Sequence, residues 1–306
     1  MMVNKLSLIN KKVTENAPEF IKACEERFDS DVSAVVNGFL SNPDCDIVLL
    51  AGPSSSGKTT TAGIIAEKIR SSGRNAFIVS LDDFYLNKED IPLNDDGLKD
   101  FENVTALDTE LIHKCFGELI EKREAELPIF DFTTSSRSEE TKQITLKKDD
   151  VIIVEGLHAL NPVITDGLDE KHLYRIYISV SSRILSDDGE ILLNKRNLRL
   201  IRRMIRDYRH RNSSVENTLL MWQGVLSGED KFLFPFESYA DVKINSFHEY
   251  ESCIFKNEAL KLLSEVPHSS EHIEKVEELM SALNLFSSAD ISLLPEKSLL
   301  NEFISR

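Results

Sequence analysis

Apolar residues recur along this chain in two rhythms, and the alternation between them predicts its elements. Over residues 1–45 the spacing is helical, with Phe20, Ile21, Cys24 and Phe28 on one stripe, and the pattern stops at Asn42-Pro43-Asp44. The unbroken run Ile47-Val48-Leu49-Leu50-Ala51 then reads as a strand buried on both faces. A Gly- and Ser-rich turn leads into a helix over 58–71, which ends near Ser71-Ser72-Gly73, and a second buried strand covers 76–81. Strand, helix and strand at this spacing make a βαβ unit, hence a parallel sheet. Helical spacing over 107–121, strands over 151–154 and 173–180, a helix over 198–208 and a strand over 240–244 continue the alternation. From about residue 268 the chain is charged and helical, with Ile273, Val276, Leu279, Met280 and Leu283 on one face, and reads as a packed or partner-seeking extension. No repeat or low-complexity tract interrupts the series. The fold class expected is α/β, a doubly wound parallel sheet with helical N- and C-terminal extensions.

Composition narrows the partners. The 306 residues carry 36 Lys and Arg against 52 Asp and Glu, a net charge of −16, so nonspecific binding to nucleic acid or an anionic membrane is disfavoured. No apolar run approaches the length of a membrane span. The first five residues have neither an apolar h-region nor a glycine at position 2, and a cytoplasmic location is expected. Cys24, Cys45, Cys115 and Cys253 lie too far apart in sequence for a metal or redox motif and read as buried thiols.

The chemistry starts at Gly52-Pro53-Ser54-Ser55-Ser56-Gly57-Lys58-Thr59, which satisfies G-x-x-x-x-G-K-[ST] between a predicted strand and a predicted helix. Glycines let the backbone wrap a phosphate with successive N–H groups, and the helix adds its positive end. Lys58 is placed for the β- and γ-phosphates of a nucleotide and the Thr59 hydroxyl for Mg²⁺. Glu155 closes the buried run Val151-Ile152-Ile153-Val154, an acid at the carboxyl edge of the sheet in the Walker B manner. Leu81-Asp82-Asp83-Phe84-Tyr85 ends the second strand on the same edge, and a carboxylate there can take the proton of an acceptor hydroxyl as the γ-phosphoryl moves. Between residues 195 and 211 stand eight basic residues and one acid, with Arg199, Arg202, Arg203 and Arg206 on one helical face and Ile201, Ile205 and Tyr208 on another. That face suits a lid bringing guanidinium groups over the polyphosphate; a solvated basic face is the alternative, and nucleic acid a remote one. Two lookalikes carry nothing. Asn87-Lys88-Glu89-Asp90 matches a guanine-reading pattern but lies only 29 positions beyond Lys58, and His268-Ser269-Ser270-Glu271-His272 matches a zinc peptidase pattern without a further ligand cluster.

Taken in order, these motifs resemble the uridine kinase (uridine–cytidine kinase) family, within the wider group that includes phosphoribulokinase. The likeness runs from Gly52–Thr60 through Leu81–Tyr85, Asp100-Phe101-Glu102 to Asp108, Pro128–Phe132 to Arg137, Glu155–Leu160 and Arg202–Asp207 to Pro235–Val242, over about residues 46–250. It implies a P-loop kinase domain over 46–265 between helical extensions 1–45 and 266–306. It also implies transfer of the γ-phosphoryl of ATP, with Mg²⁺, to a primary hydroxyl of a small molecule, a nucleoside first among them. By resemblance Asp82 is the base, Lys58 and Arg206 assist catalysis, and Gly52, Ser54, Ser55, Ser56, Gly57, Lys58, Thr59, Thr60 and Arg203 bind nucleotide. Thr59, Asp82 and Glu155 then organise the metal, and Asp82, Tyr85, Phe101, Glu102, Phe130, Arg203 and Arg211 face the acceptor. A homo-oligomer is plausible on the same ground.

Three positions depart from the family pattern. Glu102 stands where the family has a ribose-binding Asp, while Phe130 and Ser135 replace a Tyr and a His that read the pyrimidine. The lost hydroxyl and imidazole remove hydrogen bonds that would recognise the base. Another acceptor, such as a sugar, a sugar phosphate or a pantothenate-like alcohol, therefore stays open, as does a regulatory nucleotide-binding protein with a degenerate acceptor site.

Overall fold

The computed structural model describes residues 4–93, 97, 99–132 and 134–304. At its centre lie β1 (Ile47–Ala51), β2 (Ala76–Ser80), β5 (Val151–Glu155), β6 (Leu173–Ser179) and β9 (Val242–Asn245), all parallel, in the order β2-β5-β1-β6-β9. Every residue of β1 and β5 is buried. Their side chains divide by period two: Val48, Leu50, Val151 and Ile153 enter one core, and Ile47, Leu49, Ala51, Ile152 and Val154 enter the other. A strand that must satisfy two apolar layers reads in sequence as an unbroken apolar run.

The first layer holds α1 (Leu6–Leu40), α2 (Lys58–Ser71), α5 (Lys195–Arg211), α6 (Val215–Phe232), α7 (Glu251–Ser264) and α8 (Ile273–Asn284). The second holds α3 (Thr109–Glu121), the short turn α4 (Pro162–Thr165) and a hairpin of β3 (Glu124–Asp131) with β4 (Ser136–Thr145). A small ribbon of β7 (Ile184–Leu185) and β8 (Ile191–Leu193) precedes α5.

Both ends of the chain are built into the first core. Within α1, Asn16 leaves helical geometry (φ −161°, ψ 78°) two residues before Pro18, and its side chain accepts from the Glu19 N–H at 3.4 Å. The segment is thus two helices in line, the second capped by Asn16. At the other end Leu299, Leu300, Phe303 and Ile304 are fully buried, so the C-terminal extension is packed. All four cysteines are buried thiols. No helix among the described residues is long and apolar enough to cross a membrane.

The boundaries shift where polar residues start an element. Helix α5 begins at Lys195 because Asn194 caps it, accepting from the Arg196 and Asn197 amides at 2.8 and 2.9 Å, and it runs on to Asn212, whose left-handed φ of 47° stops it. The β3–β4 hairpin and helices α6 and α7 lie outside the elements expected from the pattern. Most of β4 faces solvent and only Ile144 is buried, so it carries no apolar alternation to read.

Candidate active site

The phosphate loop joins the carboxyl end of β1 to α2. Gly57 adopts φ 88°, a left-handed conformation that glycine takes without strain, and caps the helix. A Cβ at Gly52 would stand 2.2 Å from the Ile178 carbonyl oxygen, so only glycine lets the loop pass that close to β6. Lys58 folds back over the loop, its Nζ donating to the Gly52 and Pro53 carbonyls at 3.0 and 3.2 Å. The Ser55 and Ser56 hydroxyls are buried without a hydrogen-bond partner among the described residues. Buried donors of that kind are costly unless a ligand uses them, and a phosphate set in the loop would.

Helix α5 braces this loop from outside. Arg199 donates to the Ser54 carbonyl at 3.1 Å and makes a two-pronged pair with Glu229 of α6 at 2.6 and 2.7 Å. Glu229 in turn accepts the Ser54 N–H at 2.9 Å. Arg202 donates to the Ser55 carbonyl at 3.3 Å and pairs with Glu251 of α7. Arg203 donates to the Ser54 hydroxyl at 2.7 Å. The arginine face therefore does lie over the loop, but Arg199 and Arg202 (3% and 0% exposed) are committed to carboxylates and loop carbonyls. Beyond them Arg203, Arg206 and Arg211 gather around the single carboxylate of Asp207, at 3.2, 2.8 and 3.7 Å, leaving an excess of positive charge at that end of the helix. Arg206 faces Asp207 rather than the loop.

Opposite the loop, at the ends of β2 and β5, three oxygens meet. Glu155 Oε1 accepts from the Thr59 hydroxyl at 3.2 Å and from the Ser80 hydroxyl at 2.9 Å. Burial, then the nearby charge of Asp82, pushes the Glu155 carboxyl up to about 7. Asp82 sits on the 3₁₀ turn Leu81–Phe84, whose Leu81 and Phe84 are buried anchors. After the larger effect of burial, its charge also pushes Asp83, Tyr85 and Glu102 up. Asp83 itself is structural, accepting the Phe130 N–H at 3.3 Å. A carboxylate raised by burial and by the charge of a second one, beside a hydroxyl, suits a hard cation whose remaining ligands are water and phosphate. No group of three or more His, Cys, Asp and Glu fit to cage a metal occurs among the described residues.

Beyond Asp82, where the acceptor is expected, lies a cluster of rings. Tyr85 lies 5.7 Å from Phe130 and 6.4 Å from Phe132, centroid to centroid, and Phe130 and Phe132 are 5.0 Å apart. The Tyr85 hydroxyl donates to the Phe101 carbonyl at 2.9 Å, and Arg211 lies over Phe132 at 5.7 Å. Ser135 occupies the hairpin turn at φ 55°. Glu102 stands between the two halves, pushed up to about 7 by burial against the pull of Arg203. Its Cβ lies 2.2 Å from where a Cβ on Gly228 of α6 would be, so α6 is bare there to admit it. His158, pushed down to about 4 by burial, is hydrogen-bonded to the Glu102 backbone. The structure thus brings Lys58, Thr59, Asp82, Glu155, Glu102, Arg203 and Arg211 to one sheet edge. Ser80, Glu229, Phe132 and His158 join them; Phe132 and His158 lie within the motif segments Pro128–Phe132 and Glu155–Leu160, but no role is expected of them in sequence. The Asn87–Asp90 segment is apart from the loop; Asn87 accepts the Arg137 N–H at 3.0 Å, a structural tie of the hairpin.

The model of the phosphoribulokinase / uridine kinase family matches residues 47–251. The chain belongs to that family. It is 30% identical over 200 residues to a uridine kinase of Bacillus pumilus (strain SAFR-032), covering 65% of this chain and 85% of the relative. To a uridine kinase of Lactobacillus helveticus (strain DPC 4571) it is 31% identical over 198 residues, 64% and 84% of the two chains. Among solved structures, a Silicibacter sp. TM1040 protein described as a candidate kinase of a fructose transport system superposes with a TM-score of 0.51 at 18% identity, over 69% of this chain and 98% of that one. Membership of the phosphoribulokinase / uridine kinase family makes the chain a P-loop kinase that uses ATP and transfers a phosphoryl group to an alcohol.

Proposed function

We propose that the protein phosphorylates the primary 5′-hydroxyl of a nucleoside at the expense of ATP. The observation that carries the reading is the position of Asp82 on the turn Leu81–Phe84, between Ser80, which donates to Glu155 beside the phosphate loop, and Tyr85, which lies against Phe130 in the ring cluster. Asp82 takes the proton of the acceptor hydroxyl while that oxygen bonds to the γ-phosphorus, the bond between phosphorus and the β–γ bridging oxygen breaks, and ADP leaves. Lys58 and the loop amides hold the β- and γ-phosphates, and Arg203 and Arg211 offset charge on the transferring oxygens. Thr59, Glu155 and Asp82 would hold Mg²⁺, which supplies charge neutralisation across the phosphates. Tyr85, Phe130 and Phe132 present faces on which a base can stack, and Glu102 accepts from ribose hydroxyls.

A second acceptor class is favoured by one observation. Phe130 is packed between two other rings and offers no hydrogen-bonding group where the family reads a pyrimidine, so a sugar or other alcohol fits the same catalytic half. ADP release measured with ATP and Mg²⁺ across a panel of nucleosides, sugars and pantothenate separates the readings. Turnover with a nucleoside is expected, turnover with a sugar or pantothenate alone moves the assignment to that alcohol, and ADP release without any acceptor ends the kinase reading.

A further inference from the structure

A further group, from far along the chain, stands against the phosphate loop. The last turn of the chain, Leu299–Glu302, is capped by Ser298, whose hydroxyl oxygen accepts the Leu300 N–H at 3.2 Å and whose hydroxyl donates to Glu25 at 2.7 Å. Leu299 lies against Gly57, with a methyl 2.5 Å from where a Cβ on that glycine would be. Phe303 lies 5.2 Å from the guanidinium of Arg202, the residue that also holds the Ser55 carbonyl. Between these anchors the Glu302 carboxylate accepts the Thr60 N–H at 3.2 Å.

That amide belongs to the first turn of α2, where N–H groups have no partner within the helix and point toward a bound phosphate. One N–H serves one oxygen well, so a carboxylate there and a nucleotide phosphate compete. Glu302 also adds to the negative field at Glu155, across the place the phosphates must enter. We propose that Glu302 is an internal competitor for the nucleotide, a carboxylate carried by the C-terminal turn that must leave the Thr60 amide before the polyphosphate can seat. The turn itself is anchored by fully buried Leu299, Leu300 and Phe303, while Glu302 is only half-buried, so a rotation of one side chain is enough. The inference rests on nucleotide binding at the P-loop and assigns to this chain's own tail the setting of nucleotide affinity.

The test is equilibrium titration with fluorescently labelled ADP and Mg²⁺ on the full chain, its Glu302→Gln and Glu302→Ala variants, and Lys58→Ala. Glu302→Ala should bind about tenfold tighter than the parent, a charge-assisted hydrogen bond's worth of competition, and the isosteric Glu302→Gln should fall between. Thermal unfolding of each variant checks that the fold is kept. Equal or weaker binding by both variants overturns the inference, and unchanged affinity with a lowered Tm would make Glu302 a helix cap only. Binding by the parent but not by Lys58→Ala leaves the P-loop reading standing in either case. Failure of every chain to bind ends that reading and the inference with it.

Discussion

The two halves of the site are held in different ways. On the phosphate side Ser54 alone is gripped at its N–H, its carbonyl and its hydroxyl, by Glu229, Arg199 and Arg203, through groups that are almost wholly buried. On the side proposed for the acceptor three rings touch one another, Phe132 is 50% exposed, and half-buried Glu102 carries a carboxyl pushed up to about 7. Hydrogen bonds made in a low dielectric impose a single geometry, whereas apolar contact is tolerant of shape. On the function proposed here, the transfer chemistry would be rigidly specified and the choice of acceptor loosely so.

Variants can break that contrast. The largest effect is expected from Asp82→Asn, which should lower kcat by roughly 10²–10⁴-fold while ADP affinity stays near that of the parent, measured by coupled assay and titration. Full activity in that variant would remove Asp82 as the base. Next is Glu229→Ala, which leaves Arg199 buried without its partner and should cost about 3–5 kcal/mol of stability in urea denaturation, with weaker nucleotide binding as Ser54 loses its acceptor. Acceptor-side changes should be gentler. Phe130→Tyr with Ser135→His should shift preference toward uridine by about tenfold in kcat/KM, leaving the ATP KM alone. The smallest is Glu102→Gln. The carboxyl titrates near 7 in the fold against a usual 4.5, so its cost to stability is nil below pH 4.5 and fully developed above about 7. The Tm advantage of the glutamine variant should accordingly be absent at pH 4.5 and reach a few degrees at pH 8.

What could be read from sequence follows from how far each residue acts. The phosphate loop is legible because its residues act through their own backbone and their immediate neighbours, within nine positions. Strands β1 and β5 are legible because burial on both faces leaves no polar position before Glu155 at the end of β5. Helix α6 is not, since Leu220 and Met221 are exposed and blur its apolar stripe, and neither is β4, whose side chains meet water. Of the site, Asp82 and Glu155 announce themselves at strand ends, where sheet topology alone aims them. Glu229 and Glu302 reach the same loop from helices and turns far along the chain, and only tertiary packing reveals their targets. The basic face of α5 was readable as a pattern but not as a partnership: Glu229 and Glu251, which occupy two of its arginines, lie 30 and 49 positions away.

The bare spot on α6 has a consequence for how such a protein diversifies. Gly228 sits inside an 18-residue helix, where alanine would favour the helix by about 1 kcal/mol, and its backbone is in touch with Glu102. A single methyl added there would meet the Glu102 side chain and force it to shift. The stance of Glu102 is thus set from behind by the smallest residue of α6, which gives mutation a handle on that carboxyl.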